Sequence, residues 1–519
     1  MPSTNRLRHL RAPQRRLSKI ASAVAQGLPL FALPLAALPL ASLASNAYAE
    51  DTPATASAAI SQDGRLPGVS VKANRDVLPG DPAPALPGGQ VASGAQIGVL
   101  GQQKLIDVPF SVTSYTAQTI ADQQAHTVAD VVANDPAVRS AYGYGTFAEN
   151  YIIRGFEVYS DDISLNGLYG ITPRQLVATE TLERVDIFKG ANTFVNGAAP
   201  GGSGIGGNIN LETKRADDTP LTRVTVEGSA SGQLGTHIDI GRRFGDNDQF
   251  GIRVNQTVES GETSVDGEHR RTEQTSVALD YRGSQWRVSG DFIYQKQHVS
   301  DGRPVVYVTG DSVPSVPSAT TNYAQTWTYY DLQDTVGMLR AEYDLTPNWT
   351  VYATGGLRHT DEHSDTGALT YGTDGATTGY RFGVPLKEDA ASAEVGVRGK
   401  FMTGPVSNAV NVGVLVNRIV TDAAYDGSAT YATSLYNTTQ VARPGDAYSA
   451  GNFASPGTTA RTLLRSVSVA DTFGFFQDRL LLTAGMRHQS IVANGYAYGT
   501  GEQDSAYNES ATTPIFGAV

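Results

Sequence analysis

Three stretches of the 519-residue chain carry side chains spaced for chemistry. In the first, Gly202, Gly204 and Gly207 satisfy the spacing G-x-G-x-x-G. That fingerprint holds a pyrophosphate only where a strand precedes it and a helix N-terminus follows. Here Val185 and Ile187 alternate with polar residues before it, and Ile209 and Leu211 do so after it. A second strand therefore follows, and the stretch reads as a Gly-rich loop between paired strands. In the second, His359-Thr-Asp-Glu-His363 would share one face of a helix. On a strand its histidines lie ~13 Å apart, at about 3.3 Å per residue, so no native metal site is expected. The third is aromatic. Residues 139–150 expose Tyr142, Tyr144 and Phe147 among glycines, and residues 167–175 offer Tyr169 and Arg174. Such side chains either pack as core against a wall or stack and hydrogen-bond on an amphipathic ligand, with Arg174 meeting negative charge. No nucleophile–base constellation stands out, and neither catalysis nor a cofactor is expected.

The elements around these stretches follow from composition and period. A net charge of −12 argues against nucleic acid as a partner, and the absence of cysteine excludes disulfides and thiolate metal sites. Residues 1–49 read as a secretory leader: Arg6 to Lys19 form a basic head, an apolar run follows, and Ala47-Tyr48-Ala49 ends it. Pro29, Pro34 and Pro39 interrupt that run as a membrane helix. Residues 50–96 form a Pro-, Ala- and Gly-rich flexible tail in which Val69 and Val71 alternate after Leu66-Pro67, a pattern able to add a strand to a partner's sheet edge. Residues 97–216 have α+β character, with strands at 108–113, 151–154 and 164–166, a helix over 127–133 ended by Asp135-Pro136, and a short helix over 177–182. From 217 onward alternating strands take over, with tight turns at 245–248, 283–284, 346–348, 404–405 and 477–479. Long polar insertions at 301–330, 365–386 and 426–459 separate them, and carry Tyr323, Trp327, Tyr371, Tyr380, Tyr431 and Tyr448. Short turns on one side and long loops on the other describe an outer-membrane β-barrel in contact with lipid.

The sequence ERVDIFKGANTFVNG, followed by PGG and NINLETKR, resembles the end of the plug domain of TonB-dependent outer-membrane siderophore receptors. IIRGF (152–156) and LNGLYG (165–170) continue the match upstream. Lys189 stands where many members carry Arg, which removes the planar fork for a bidentate plug-to-barrel contact. The resemblance implies a β-barrel membrane protein with an α+β plug, importing a ferric siderophore across the outer membrane of a Gram-negative cell. It makes Leu66, Pro67, Val69 and Val71 the TonB box, the segment pulled by TonB and its inner-membrane energising complex. It also places Tyr142, Tyr144, Phe147, Tyr169 and Arg174 at the ligand. Cobalamin or a carbohydrate is the alternative cargo within the class; a passive porin or adhesin barrel is the alternative outside it. About eleven complete strands are expected, with 513–519 starting the next. Against about 22 in the resembling family, the barrel is expected to be incomplete, open at two edges.

Overall fold

A computed structural model describes residues 82–142, 146–372 and 375–519. The leader and the Leu66–Val71 segment lie outside the described residues, as does Tyr144.

The small domain is built on one mixed sheet. Its strands are β1 (Ser111–Thr116), β2 (Ser164–Leu165), β3 (Leu168–Tyr169), β4 (Leu182–Lys189) and β5 (Gly207–Thr213), in the order β1-β4-β5-β2-β3. The strands flanking the glycine run pair antiparallel, Gly207 opposite Lys189 and Leu211 opposite Val185. Val185, Ile187, Ile209 and Leu211 are wholly buried, which fixes the register because a one-residue slip would turn them to the opposite face. Two helices cover this sheet. Thr116 caps α1 (Ala117–Gln123) through its hydroxyl. Thr127 and Asp130 cap α2 (Val128–Val132) reciprocally, and Val128, Val131 and Val132 enter the core.

Two local expectations need correction, and two further features were not legible. The first strand starts at Ser111 rather than 108, since Pro109 has no N–H to give the ladder. Residues 177–182 are not a helix: a single 3-10 turn, Thr179–Thr181, precedes β4, and Ala178 is bridged to Thr127. Helix α1 has only Thr119 and Ile120 buried, too faint an apolar period to be legible. Lys189 stays within the small domain, its Nζ 2.7 Å from Asp135 and 2.8 Å from the Thr113 hydroxyl.

The glycine run does hold an anion, and it is the chain's own. Asp162 accepts from the Gly201 and Ser203 amides at 2.5 and 2.9 Å and from the Ser203 hydroxyl at 2.6 Å. Burial and the adjacent Asp161 nevertheless push its pKa up to about 6, outweighing the three donors. Gly206 lies where the loop crosses the strand Tyr151–Ile153; a Cβ there would sit 2.1 Å from the Ile153 carbonyl oxygen. Gly206→Ala is therefore expected to destabilise the small domain by about 1–3 kcal/mol, the usual cost of overpacking. An unchanged urea midpoint would contradict this close approach.

Twelve strands form the main path of the large sheet. They are β6 (Leu221–Gly228), β7 (Leu234–Phe244), β8 (Phe250–Glu262), β9 (His269–Arg282), β10 (Trp286–Ser300), β11 (Tyr329–Thr346), β12 (Trp349–Tyr371), β13 (Thr377–Thr403), β14 (Val406–Ala423), β15 (Gly457–Phe475), β16 (Leu480–Tyr496) and β17 (Gln503–Ala518). Each pairs antiparallel with the next, and among the described residues β6 and β17 are not paired with each other. Residues 513–518 are not the start of a further strand but the end of β17, with Val519 following it; the strand's polar beginning, Gln503 onward, hides it in the sequence. The insertion expected at 365–386 is also largely strand: β12 and β13 stay in register up to Tyr371 opposite Thr377.

Alternation gives this wall two chemistries. Leu279, Phe292, Leu339, Leu357, Val395, Val414, Val467 and Met486 point outward and are exposed. Asp239, Asn255, Gln274, Asp291, Asp334, Thr360, Asn417 and Arg487 are buried on the other face. Aromatic pairs Phe250–Tyr281, Trp286–Tyr343 and Trp349–Phe401 lie beside the tight turns, centroids 5.0, 4.5 and 6.2 Å apart. An apolar band ending in an aromatic girdle is what lipid and its interface require.

Candidate ligand-binding vestibule

Wall and small domain meet through polar side chains, some reaching backbone and some forming ion pairs such as Lys214 with Asp239 and Arg215 with Asp291. Arg487 donates to the Phe194 and Val195 carbonyls at 2.6 and 3.0 Å, satisfying the end of the helical turn Thr193–Asn196. Arg358 donates to the Thr172 carbonyl at 2.8 Å, and Gln295 exchanges bonds with Leu176 and Ala178.

Arg174 sits in this seam and not in open solvent. Its guanidinium is 2.8 Å from Glu362 and 3.7 Å from both Asp161 and Glu388, while its amide donates to Asp334. Burial disfavours its charge, but Glu362, Asp161 and Glu388 outweigh this and raise its pKa above the ordinary value. In this geometry wall carboxylates already match the Arg174 charge that the sequence offers to a ligand. Tyr169 is enclosed as well. At 2% exposure it belongs to the core of the β2–β3 hairpin, its carbonyl accepting from Asn417 at 2.8 Å.

The other aromatics divide between packing and opening. Phe147 stacks on Tyr330 of the wall, centroids 5.3 Å apart, and Tyr142 leans on Phe147 at 6.2 Å. Tyr142 itself is half-buried; burial, then the Glu157 charge, raises its phenol pKa, with Tyr307 and Tyr159 close by. Tyr307, on the short strand Val305–Val308, also neighbours Tyr380. From Tyr380 a row of rings continues through Phe382 (5.7 Å) and Tyr425 (6.0 Å) to Tyr448 (5.6 Å), with Tyr498 6.4 Å from Tyr425. Tyr307 and Tyr448 are about half exposed. Of the loop aromatics named from sequence, Tyr380 and Tyr448 join this row. Trp327 and Tyr431 pair edge-on elsewhere, and Tyr323 lies beneath Arg303. Tyr159, Tyr307, Phe382, Tyr425 and Tyr498 were not anticipated; the alternation Tyr380-Arg381-Phe382 on a continuing strand was the available signal.

Behind the row the wall is braced. Arg381, wholly buried, reaches Asp365 at 2.8 Å and Asp426 at 3.0 Å and also pairs with Asp446, while Arg443 takes the second oxygen of Asp365. Two long loops are fastened by glutamines: Gln325 bonds the Thr439 carbonyl and Val441 amide, and Gln440 bonds the Ala324 carbonyl and Thr326 amide, all at 2.8–3.0 Å. His359 and His363 each take a separate carboxylate, Asp389 at 2.8 Å and Asp361 at 3.2 Å.

Residues 104–203 match the family described as TonB-dependent Receptor Plug Domain. The ferrichrome receptor FcuA of Yersinia enterocolitica is 42% identical over 433 residues, covering 83% of this chain and 57% of that protein. The catecholate siderophore receptor Fiu of Escherichia coli O157:H7 is 27% identical over 267 residues, 47% of this chain and 34% of the relative. Among solved structures, BauA, the ferric preacinetobactin receptor from Acinetobacter baumannii, superposes with a TM-score of 0.74 at 32% identity, over 82% of this chain and 64% of that one. The chain thus spans less than two thirds of these relatives.

Proposed function

The chain belongs to the TonB-dependent outer-membrane receptors, and from that premise we propose that it takes part in the import of a ferric siderophore, gathered on the aromatic row and passed inward when TonB displaces the plug. The observation that carries this reading is two sets of rings, Tyr142 against Phe147 and Tyr330, and Tyr380 through Phe382 and Tyr425 to Tyr448 on the wall. Flat, rigid faces with phenol hydroxyls suit an amphipathic iron chelate, whose organic shell is apolar and whose coordinating oxygens accept hydrogen bonds. The braces at Arg381 and the two glutamines hold those faces in place before ligand arrives, which reduces the ordering cost of binding.

The plug seam suits displacement. Its bonds are polar throughout, side chain to carbonyl at Arg358, Asn417 and Arg487 and ion pairs at Arg174, Lys214 and Arg215, groups that water can take up once separated. Leu66, Pro67, Val69 and Val71 serve in this reading as the strand handed to TonB, upstream of a plug that the described chain enters at Pro82.

The test is binding of ferric hydroxamate and ferric catecholate chelates to the chain in detergent, followed by fluorescence quenching. Tyr425→Ala and Tyr142→Ala are each expected to weaken the preferred chelate about five- to tenfold, from the loss of about 1–1.4 kcal/mol of ring contact. Undiminished affinity in both variants would leave these rings as packing residues. Saturable binding of cobalamin with no chelate binding would replace the cargo.

A further inference from the structure

A second cluster, unused by the vestibule, lies where the plug meets the first wall strands. His126 from the connection between α1 and α2, Glu180 from the 3-10 turn and Glu227 from β6 each offer one ligand atom, all within 4.8 Å of one another. Two of these residues belong to the plug and one to the wall. Glu259 of β8 stands next to them, 3.4 Å from His126 Nδ1.

The charge here is unbalanced. Three carboxylates face one imidazole, and cations lining the same cleft are paired elsewhere, Arg184 with Glu183 and Lys214 and Arg253 with Asp239. Glu180 Oε2 is shielded from solvent and has no hydrogen-bond donor among the described residues. An imidazolium paired with Glu259 would serve one carboxylate and leave the other two facing each other. One imidazole nitrogen with carboxylate oxygens is a donor set for a borderline divalent ion, and three protein ligands leave an open fourth position. A cleft of about 650 Å³, lined by these three residues together with His237 and Asp239, gives an ion its way in.

We propose that His126, Glu180 and Glu227 form a divalent-cation site, best matched to Zn2+, that fastens the plug to the barrel wall. A bound ion would supply the missing positive charge, give Glu180 Oε2 its partner and link two parts of the molecule that must separate during transport. The inference rests on this side-chain cluster and is independent of the cargo.

The experiment titrates the full chain, folded in detergent micelles, with Co2+ as a spectroscopic probe and then with Zn2+ in competition. One equivalent of Co2+ is expected, with d–d bands of a low-coordinate N/O site that Zn2+ abolishes. His126→Ala and Glu227→Gln should each weaken it at least about tenfold. The paired change His359→Ala with His363→Ala, which removes the exposed imidazoles of β12, should leave it intact. Because Glu227→Gln keeps the wall residue's size, a folding defect in the plug cannot account for its effect. Zn2+ should also slow hydrogen exchange over residues 125–133 in the parent chain and not in Glu227→Gln. Absence of stoichiometric binding, binding that survives both His126→Ala and Glu227→Gln, or binding lost with the β12 histidines would each overturn the proposal.

Discussion

Replacing Arg174 by alanine is expected to cost about 3–5 kcal/mol in the docking of the plug, the usual penalty for removing one partner of a buried ion pair. The side chain is 16% exposed and stands among Glu362, Asp161 and Glu388, with Asp334 held by its own amide. Without it, four carboxylates would face only Arg358, which is wholly buried and already paired with Glu388. Mutual repulsion at low dielectric then opposes closure of the seam. Arg174→Lys should recover part of the loss, since an ammonium restores charge but not the planar fork that spans Glu362 and Glu388. Chemical unfolding in detergent, read together with hydrogen exchange over residues 164–176, measures both. A midpoint unchanged in Arg174→Ala would mean that the seam is held elsewhere.

The second large effect concerns transport. Val69→Pro is expected to reduce uptake in the cell to that of a strain without TonB, while chelate binding at the surface stays at the parent level. Proline removes an N–H from any ladder the segment forms with a partner edge, and also fixes φ. From Val69 to Pro82 the chain can reach about 45 Å when extended. Beyond it, Ala83 accepts from Arg184 at 3.0 Å and Val91 bridges Tyr115, so tension would arrive at β4 and the edge strand β1. Normal uptake in Val69→Pro would place the handle elsewhere in the tail.

The strands of the wall and the glycine-run hairpin were legible because both express a period of two, and burial on one face makes that period unambiguous. The roles of single residues were less so. Arg174 reads in sequence as a lone cation in a Gly-bordered loop; its partners Asp334, Glu362 and Glu388 lie at least 160 residues further along. The burial of Tyr169 is hidden for the same reason, because what encloses it includes a wall strand bearing Asn417. The cluster of His126, Glu180 and Glu227 joins three separate elements, none of which carries a ligand-spacing motif. What local pattern expresses is a strand's two faces; what it omits is the identity of the opposing surface.

The fastening of the outer loops by Gln325 and Gln440 has an evolutionary side. Each glutamine reads only main-chain atoms of the opposite loop, so Ala324, Thr326, Thr439 and Val441 contribute no side-chain atom to it. Most replacements at those four positions would leave the fastening unchanged; proline at 326 or 441, lacking the amide, would not. The surface can therefore change its outward side chains at these sites while the loops keep their relative geometry. Two conserved-size amides would thus separate the freedom to vary from the shape needed to bind, letting neighbouring residues drift under selection at little cost to the receptor.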